Sequence, residues 1–177
     1  MIEKIKSLVL EECKDKEWDW KAHVEAVVKY SKSLARELGA DQEVCEISAW
    51  LHDIIKIRGG TVHHVKGAEE ARRILQGFGF PEEKIRQIEH CIITHSSDQN
   101  HIPKSLEAKI LASADALSHF DSFLGLAMYA LVLKNESVEM CKNTLLEKYE
   151  NSWDKLLVPH ARQMAKPKYE AIRLILQ

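Results

Sequence analysis

The sequence predicts an all-α fold, and three observations lead to that prediction. Segments whose apolar residues recur with the period of a helix succeed one another, separated by short stretches of Gly, Pro and Asp. Strands are not indicated, because no segment alternates apolar and polar residues and no Asn-Gly or Asp-Gly turn occurs. The length of 177 residues, with 45% hydrophobic and 29% charged residues, suits one globular domain over residues 1–177.

Composition argues against several classes of partner and compartment. The net charge of -2 provides no electrostatic reason to expect a nucleic acid or an anionic membrane as partner. The start of the chain lacks the apolar region of a signal peptide, and the most apolar stretch, 123–133, is shorter than the ~20 residues that cross a bilayer. No CxxC pair occurs, so we expect buried thiols at Cys13, Cys45, Cys91 and Cys141. These features indicate a cytoplasmic protein.

The first half of the chain predicts four helices. After an amphipathic N-terminal start, a second helix ends at Gly39. Its buried stripe has the i, i+3, i+4, i+7 spacing at Val24, Val27, Val28, Ser31, Leu34, Ala35 and Leu38. Asp41 is a good N-cap for a third helix that runs to about Ile55. A fourth helix comes after the Gly59-Gly60 loop and buries Ala68, Ala71 and Leu75.

The second half predicts further helices of the same kind. Pro81, with two glutamates after it, starts a fifth helix, and His95 continues its inner stripe by spacing. A sixth begins around residues 103–105. Asp121 is expected to cap a seventh, Ser122–Lys134, which we interpret as a core helix, with a dimer interface as the alternative. Ser137 opens a long helix, and the prolines at 159 and 167 are expected to interrupt the chain after it, leaving a short C-terminal helix.

The most informative feature is the pair His52-Asp53, which lies near the end of an otherwise apolar helical segment. A buried carboxylate without a partner is costly, so the pair needs a cation or a hydrogen-bond network. His23 and Asp115 are available from two other predicted helices. Two imidazoles and two carboxylates from three helices suit one divalent metal ion. The donor types favour Mn, Fe, Co, Ni or Zn, with Mg possible at a cost.

In this order, His23, then His52-Asp53, then Asp115, the residues resemble the signature of the HD-domain superfamily of metal-dependent phosphohydrolases. The flanking segments also fit the family: His23–Ala35, Ala49–Lys56, His63–Leu75, Ile92–His95 and Leu106–Leu117. The resemblance covers about residues 20–120 and implies a compact helical bundle. Helices within about 121–177 are then expected to complete or cover that bundle.

The resemblance implies roles for individual residues. His23, His52, Asp53 and Asp115 would bind the metal, and Asp53 would also orient or deprotonate the attacking water. Lys56 matches a lysine that comes after the dyad in many members and would neutralise charge on a substrate phosphate. Asp19, four residues before His23, is expected to orient that imidazole.

His63 and His95 match positions that bind a second metal or substrate phosphate in some relatives. His64 is adjacent to His63 and could take its place, and Arg58 is, like Lys56, a candidate to neutralise the substrate phosphate. The sequence departs from two branches of the family, which narrows the expected class of phosphohydrolase. A Ser comes after His95 where the cyclic-dinucleotide phosphodiesterase branch has a second His, and no Glu comes soon after the dyad as in the nucleoside-monophosphate phosphatase branch. The resemblance therefore implies a mononuclear phosphohydrolase. His101, His119 and His160 are expected on the surface or behind the ligands.

The leading hypothesis is a metal-dependent hydrolase that acts on a small phosphorylated substrate, a nucleotide by analogy with the family. One alternative is a non-catalytic HD module that binds nucleotide or metal and regulates a partner. A second is a di-iron oxygenase of the HD type, which would take extra ligands from His63, His90 or His95.

Overall fold

The computed structural model describes residues 1–16, 19–61, 63–96 and 101–176, with the side chain of His63 left out. Every regular element in these ranges is helical, which confirms the all-α prediction. The elements are α1 (Ile2–Glu12), α2 (Trp20–Leu38), α3 (Gln42–Leu51), α4 (Ile54–Ile57), α5 (His63–Gly77), α6 (Glu82–Thr94), α7 (Leu106–Asp121), α8 (Phe123–Met128), a π-helical segment (Tyr129–Leu133), α9 (Val138–Asp154) and α10 (Pro159–Leu176).

Helix α7 forms the centre of the fold. Helices α2, α3 and α6 pack against it, while α9 and α10 pack against it and against each other. Helix α5 lies on α6, and α1 covers α3. Most of α7 is buried, including Ser113, Asp115 and Ser118. A polar side chain on this helix is therefore held inside the protein and must find its partners there.

The predicted helix starts agree with the structure at several caps. Asp41 accepts hydrogen bonds from the backbone N–H groups of Glu43 and Val44, and Ser105 and Ser137 each accept one from the residue three positions later. At the end of α2, Gly39 adopts a left-handed conformation with φ of 70°, which a residue without a Cβ reaches at little cost.

The sequence predicts a third helix that runs to about Ile55, and this length is wrong. In the structure α3 ends at Leu51, His52 and Asp53 form a turn, and α4 begins at Ile54. Consecutive residues of a continuous helix point about 100° apart. The turn, with φ of -111° and ψ of 16° at Asp53, lets the two side chains face the same point. The interruption thus lies at the functional dyad.

The prediction of a continuous core helix at residues 122–134 is wrong. The segment changes from α8 to π-helical geometry at Tyr129, and only Ala130 is buried. The segment packs on the surface of α7 and α9. Leu124 is therefore 75% exposed and Val132 is 68% exposed. Asp121 is not its cap, since Asp121 is the last residue of α7 and its carboxylate accepts hydrogen bonds from Tyr30 and Lys168.

The interruption predicted at Pro159 is present, because α9 ends at Asp154 and α10 begins at Pro159, but the interruption predicted at Pro167 is wrong. Pro159 is the first residue of the 18-residue helix α10, where a missing N–H costs nothing. Pro167 lies inside the helix and removes one backbone donor. The helix continues because it buries Ala161, Ala165, Tyr169 and Ile172, and that tertiary packing outweighs one lost hydrogen bond.

Within the described ranges, no single helix is long and apolar enough to cross a membrane. Helix α7 and the segment Phe123–Leu133 reach that length and composition only when taken together, with a 75° bend between them.

Replacing Leu34 by Ala is expected to lower the free energy of unfolding by about 2–5 kcal/mol, because the fully buried side chain leaves a cavity between α2 and its neighbours. Urea unfolding monitored by circular dichroism measures this change. Leu174→Ala is the matched control, since Leu174 is 78% exposed. Equal losses in the two variants would contradict the assignment of α2 to the core.

Candidate metal centre

Four side chains from α2, the α3–α4 turn and α7 converge in the interior. His23 is 7%, His52 0%, Asp53 2% and Asp115 7% exposed. The Nε2 atoms of His23 and His52 are 3.3 Å apart, and each lies 3.6 Å from Oδ2 of Asp53. Oδ1 of Asp115 lies 3.6 Å from Nε2 of His23 and 3.9 Å from Nε2 of His52. We call these four residues the donor cluster.

Hydrogen bonds to the other ring nitrogens define the protonation of the imidazoles. Nδ1 of His52 lies 2.7 Å from the carbonyl oxygen of Ala49, which can only accept, so Nδ1 carries the proton. Nδ1 of His23 lies 3.1 Å from Oγ of Ser118. That hydroxyl donates its single proton to the carbonyl oxygen of Asp115, so it accepts from His23. The Nε2 lone pair of His52 therefore faces Nε2 of His23, a ring whose Nδ1 also carries a proton.

The donor cluster fits a divalent metal ion. Ligand atoms about 2.0–2.2 Å from a metal lie roughly 3.0–3.6 Å from one another, and most of the observed separations fall in that range. Neutral imidazole nitrogens and carboxylate oxygens are ordinary ligands of such ions. Without a cation, two lone pairs at 3.3 Å beside two carboxylates would repel.

The carboxylates of the cluster are ionised. Burial alone would raise the pKa of Asp115, but Lys155, with Nζ 2.8 Å from Oδ2, and the nearby imidazoles hold that pKa well below its usual range. Burial also acts to raise the pKa of Asp53, while the surrounding histidines and Lys56 bring it well below the usual range. For His52 burial is the largest effect and lowers the pKa to about 4, which keeps the ring neutral.

Asp19 does not orient His23 as the sequence suggested. Its Oδ1 accepts a hydrogen bond from the backbone N–H of Ala22 and so caps α2. Ser118, one turn after Asp115 on α7, contacts the imidazole instead. Since serine on a buried helix face is common, the sequence contained no signal for this role.

Lys56 lies beside the cluster at the mouth of a cleft. Its Nζ is 3.3 Å from Oδ2 of Asp53 and 5.3 Å from the centre of the Trp20 ring, and the side chain is 47% exposed. The cleft has a volume of about 190 Å³ and is lined by Trp20, His23, Lys56, His119, Leu126, Tyr129 and Lys148. We call it the lysine cleft. A second cleft of about 430 Å³ shares His23 and Tyr129 with it.

Three residues near the cluster were not assigned to it from the sequence: His119, Lys148 and Lys155. Nε2 of His119 lies 3.8 Å from Oδ1 of Asp115, and its ring stacks on that of His23 with 6.0 Å between centres. Burial is the main reason that the pKa of His119 lies well below its usual value. Only the helical spacing from Asp115 could have indicated His119, and nothing local distinguishes the two lysines from surface residues.

Of the other histidines considered from the sequence, His95 lies beside the donor cluster, and His64 and His90 have partners of their own. Nε2 of His95 lies 3.7 Å from Oδ1 of Asp53, and its Nδ1 donates to the carbonyl oxygen of Ile92. The rings of His64 and His101 pair edge to face with each other, with 5.6 Å between centres. Nε2 of His90 accepts a hydrogen bond from the backbone N–H of Lys104.

Arg58 and His63 complete the set of candidates from the sequence. Arg58 forms ion pairs with Glu12 and Glu70 and is not brought into the donor cluster. The side chain of His63 lies outside the described part of the chain.

Solved structures with this fold come from several bacteria. A predicted HD-superfamily hydrolase from an uncultured Thermotogales bacterium superimposes with a TM-score of 0.68 at 25% identity, over 99% of this chain and 88% of that one. Bacillus subtilis YpgQ gives 0.78 at 20% identity when its selenomethionine form is compared, over 98% and 92%. An HD-superfamily hydrolase from Bacillus thuringiensis gives 0.77 at 20% identity, over 99% and 92%. At 20% identity the similarity concerns the fold alone.

Sequence comparison identifies a curated relative that this chain matches over part of its length, and a matching family model. Ribonuclease Y of Cutibacterium acnes is 36% identical over 100 residues, which is 54% of this chain and 17% of that protein's length. The chain thus spans about a sixth of this relative. The HD-domain family model matches residues 21–119, which include all four residues of the donor cluster. The chain therefore belongs to the HD-domain family and has the fold of HD-superfamily hydrolases.

Proposed function

We propose that the protein is a divalent-metal-dependent phosphohydrolase that cleaves a phosphate ester or anhydride of a nucleotide. The observation that carries the proposal is the pair of Nε2 atoms, 3.3 Å apart and flanked by two ionised carboxylates. Nδ1 of each ring already carries a proton, so two neutral rings have no proton on Nε2 to share. The arrangement therefore suits a cation.

His23, His52, Asp53 and Asp115 would hold the metal. When bound, a divalent ion there supplies a Lewis acid for a phosphoryl oxygen and lowers the pKa of a water molecule. The protein keeps the His52 imidazole neutral and orients both rings through Ala49 and Ser118. Lys155 holds Oδ2 of Asp115 and leaves Oδ1 directed at the cluster.

Asp53 and Lys56 would act on the reacting groups. Oδ2 of Asp53 faces the cluster, so its carboxylate is placed to orient the attacking water and accept its proton. Lys56 adjoins that carboxylate and lines the lysine cleft, so its ammonium is placed to neutralise negative charge on the phosphoryl group.

The clefts support a nucleotide as the substrate class. Trp20 and Tyr129 place aromatic rings at the lysine cleft, where a planar base would stack. The adjoining 430 Å³ cleft lies within the range of small-molecule sites, roughly 300–1,000 Å³. Its walls combine apolar side chains, such as Met128 and Val132, with Asp19 and Ser122, which suits a base and a sugar.

Metal-stripped protein is expected to release no phosphate or pyrophosphate from a panel of nucleotides and phosphomonoesters. Activity should return when Mn, Co, Ni, Fe, Zn or Mg is added back, because the donor cluster requires a cation to function. Phosphate and pyrophosphate release are measured for each pair of metal and substrate. Tight binding of metal or nucleotide without turnover in any condition would support the regulatory binding module instead.

Asp53→Asn is expected to reduce turnover by at least about 100-fold while leaving the helical circular dichroism spectrum unchanged, because the amide removes a buried anionic donor. Metal content, measured by mass spectrometry, should fall in parallel. Glu147→Gln, an exposed carboxylate of α9, is the matched control and should retain full activity. A folded Asp53→Asn protein as active as the parent would rule out the mechanism.

Lowering the pH from about 7.5 to about 5 is expected to destabilise the metal-free protein. The folded-state pKa of His52 is about 4, whereas a histidine in an unfolded chain titrates near ~6.5. Between these values the unfolded chain binds a proton that the folded protein does not, so the free energy of unfolding falls as the pH falls. The lowered pKa values of Asp53 and Asp115 act in the same direction only at lower pH, as the pH falls through the ordinary carboxyl pKa of ~3.9. Urea unfolding in EDTA measures the change.

The control for this pH dependence is His160→Gln, because His160 is exposed on α10 and its removal should leave the slope unchanged. An NMR titration of the His52 ring provides an independent check. A ring that gains its proton near the ordinary pKa of histidine, ~6.5, would show that the cluster does not keep it neutral.

A further inference from the structure

The part of the chain beyond the family match contributes a positive charge to the lysine cleft. The match ends at residue 119, and Lys148 lies on α9, well after it. Its side chain is partly buried and lines the cleft together with His119 and Lys56. Lys56 comes from α4, so the two ammonium groups enter the cleft from different helices.

Lys148 has no ion-pair partner among the described residues, which distinguishes it from its neighbours. Lys155 is bound to Asp115 at 2.8 Å, and Lys56 contacts Asp53 at 3.3 Å. Burial lowers the pKa of Lys148 to about 8. The charges of Asp115 and Asp53 act to raise this pKa, and the positive charges of Lys155 and Lys56 act to lower it. A partly buried ammonium at a cleft without a carboxylate partner is most stable when a ligand provides the anion.

The charges around the lysine cleft indicate how much negative charge a ligand should carry. Asp53 and Asp115 contribute two negative charges, while Lys56, Lys148 and Lys155 contribute three positive ones. A bound divalent cation would raise the excess of positive charge further. A single phosphomonoester group would meet the donor cluster and Lys56, and Lys148 would still lack an anion. A substrate with two adjacent phosphoryl groups would supply both.

We infer that Lys148 binds a second phosphoryl group of the substrate, so that the lysine cleft selects phosphoanhydrides over phosphomonoesters. The inference rests on the proposed function for the identity of the reacting phosphoryl group. Helix α9 thereby contributes a specificity-determining residue. Its Ser152 also accepts from Nδ1 of His119, since the serine hydroxyl donates to the carbonyl oxygen of Lys148. The same turn of α9 thus positions His119 and carries Lys148 in the wall of the cleft.

The test is the affinity for imidodiphosphate, a non-hydrolysable analogue of pyrophosphate, compared with the affinity for orthophosphate. Isothermal titration is carried out with metal-loaded protein and again in EDTA. Lys148→Met should weaken imidodiphosphate binding by about tenfold or more, because one charge-assisted hydrogen bond is lost. Orthophosphate binding should change by less than about twofold. Lys148→Arg should restore most of the imidodiphosphate affinity, since it keeps the charge.

Lys166→Met is the matched control, because this lysine is exposed on α10 and pairs only with Glu170 among the described residues. Circular dichroism checks each variant, and Lys148→Gln replaces Lys148→Met if the latter fails to fold. Unchanged imidodiphosphate affinity in a folded Lys148 variant overturns the inference, as does an equal loss for both ligands. If imidodiphosphate binding depends on Lys148 but the protein hydrolyses no substrate, the proposed function alone is refuted. If the protein hydrolyses phosphoanhydrides and substitution of Lys148 does not change that activity, this inference alone is refuted.

Discussion

The structure depends on placing two ionised carboxylates and two imidazoles in an interior that is otherwise apolar. Burying Asp53 and Asp115 is costly unless positive charge and hydrogen bonds compensate. Lys56 and Lys155 each reach one of these carboxylates. The donor atoms of the cluster lie 3.3–3.9 Å from one another, and Oδ2 of Asp53 also contacts Lys56. That geometry produces repulsion that a cation would relieve, and it requires α2, α7 and the α3–α4 turn to meet.

Local structure at the dyad serves this arrangement. A continuous helix from Asp41 to Ile55 would direct His52 and Asp53 to different sides. The chain breaks the helix after Leu51 and restarts it at Ile54, so both side chains reach the cluster. The same break holds Nδ1 of His52 against the carbonyl oxygen of Ala49. The loss of regular backbone bonding is thus coupled to the orientation of the ligand atoms.

Helix α9 provides a second layer behind and beside the cluster. Lys155, just after its last residue, holds Asp115; Ser152 holds His119; and Lys148 lines the lysine cleft. The HD-domain match covers residues 21–119 and does not reach this helix. The family signature therefore accounts for the donor atoms, while the polar surroundings that hold and complement them come partly from outside it. Such surroundings differ readily between relatives that share a fold.

Local signals along the chain were enough to predict the all-α class, the helix starts at Asp41 and Ser137, and the order of the four donor residues. Caps, helical periodicity and buried ionisable residues can each be recognised within a short segment. The conformation of residues 122–134 and the uninterrupted helix through Pro167 could not be predicted in this way. The structure of each depends on what it packs against. Residues 122–134 pack on the surface of α7 and α9, and α10 is stabilised through Pro167 by burial of its apolar face.

Tertiary packing determines which nitrogen of each histidine faces the cluster and which lysines reach the carboxylates. Ser118 contacts His23 from 95 positions away, and Lys155 contacts Asp115 from 40 positions away. Such partners have no helical spacing to reveal them. Their meeting depends on how α2, α7 and α9 pack, and that packing is the sum of many apolar contacts that no single segment of sequence specifies.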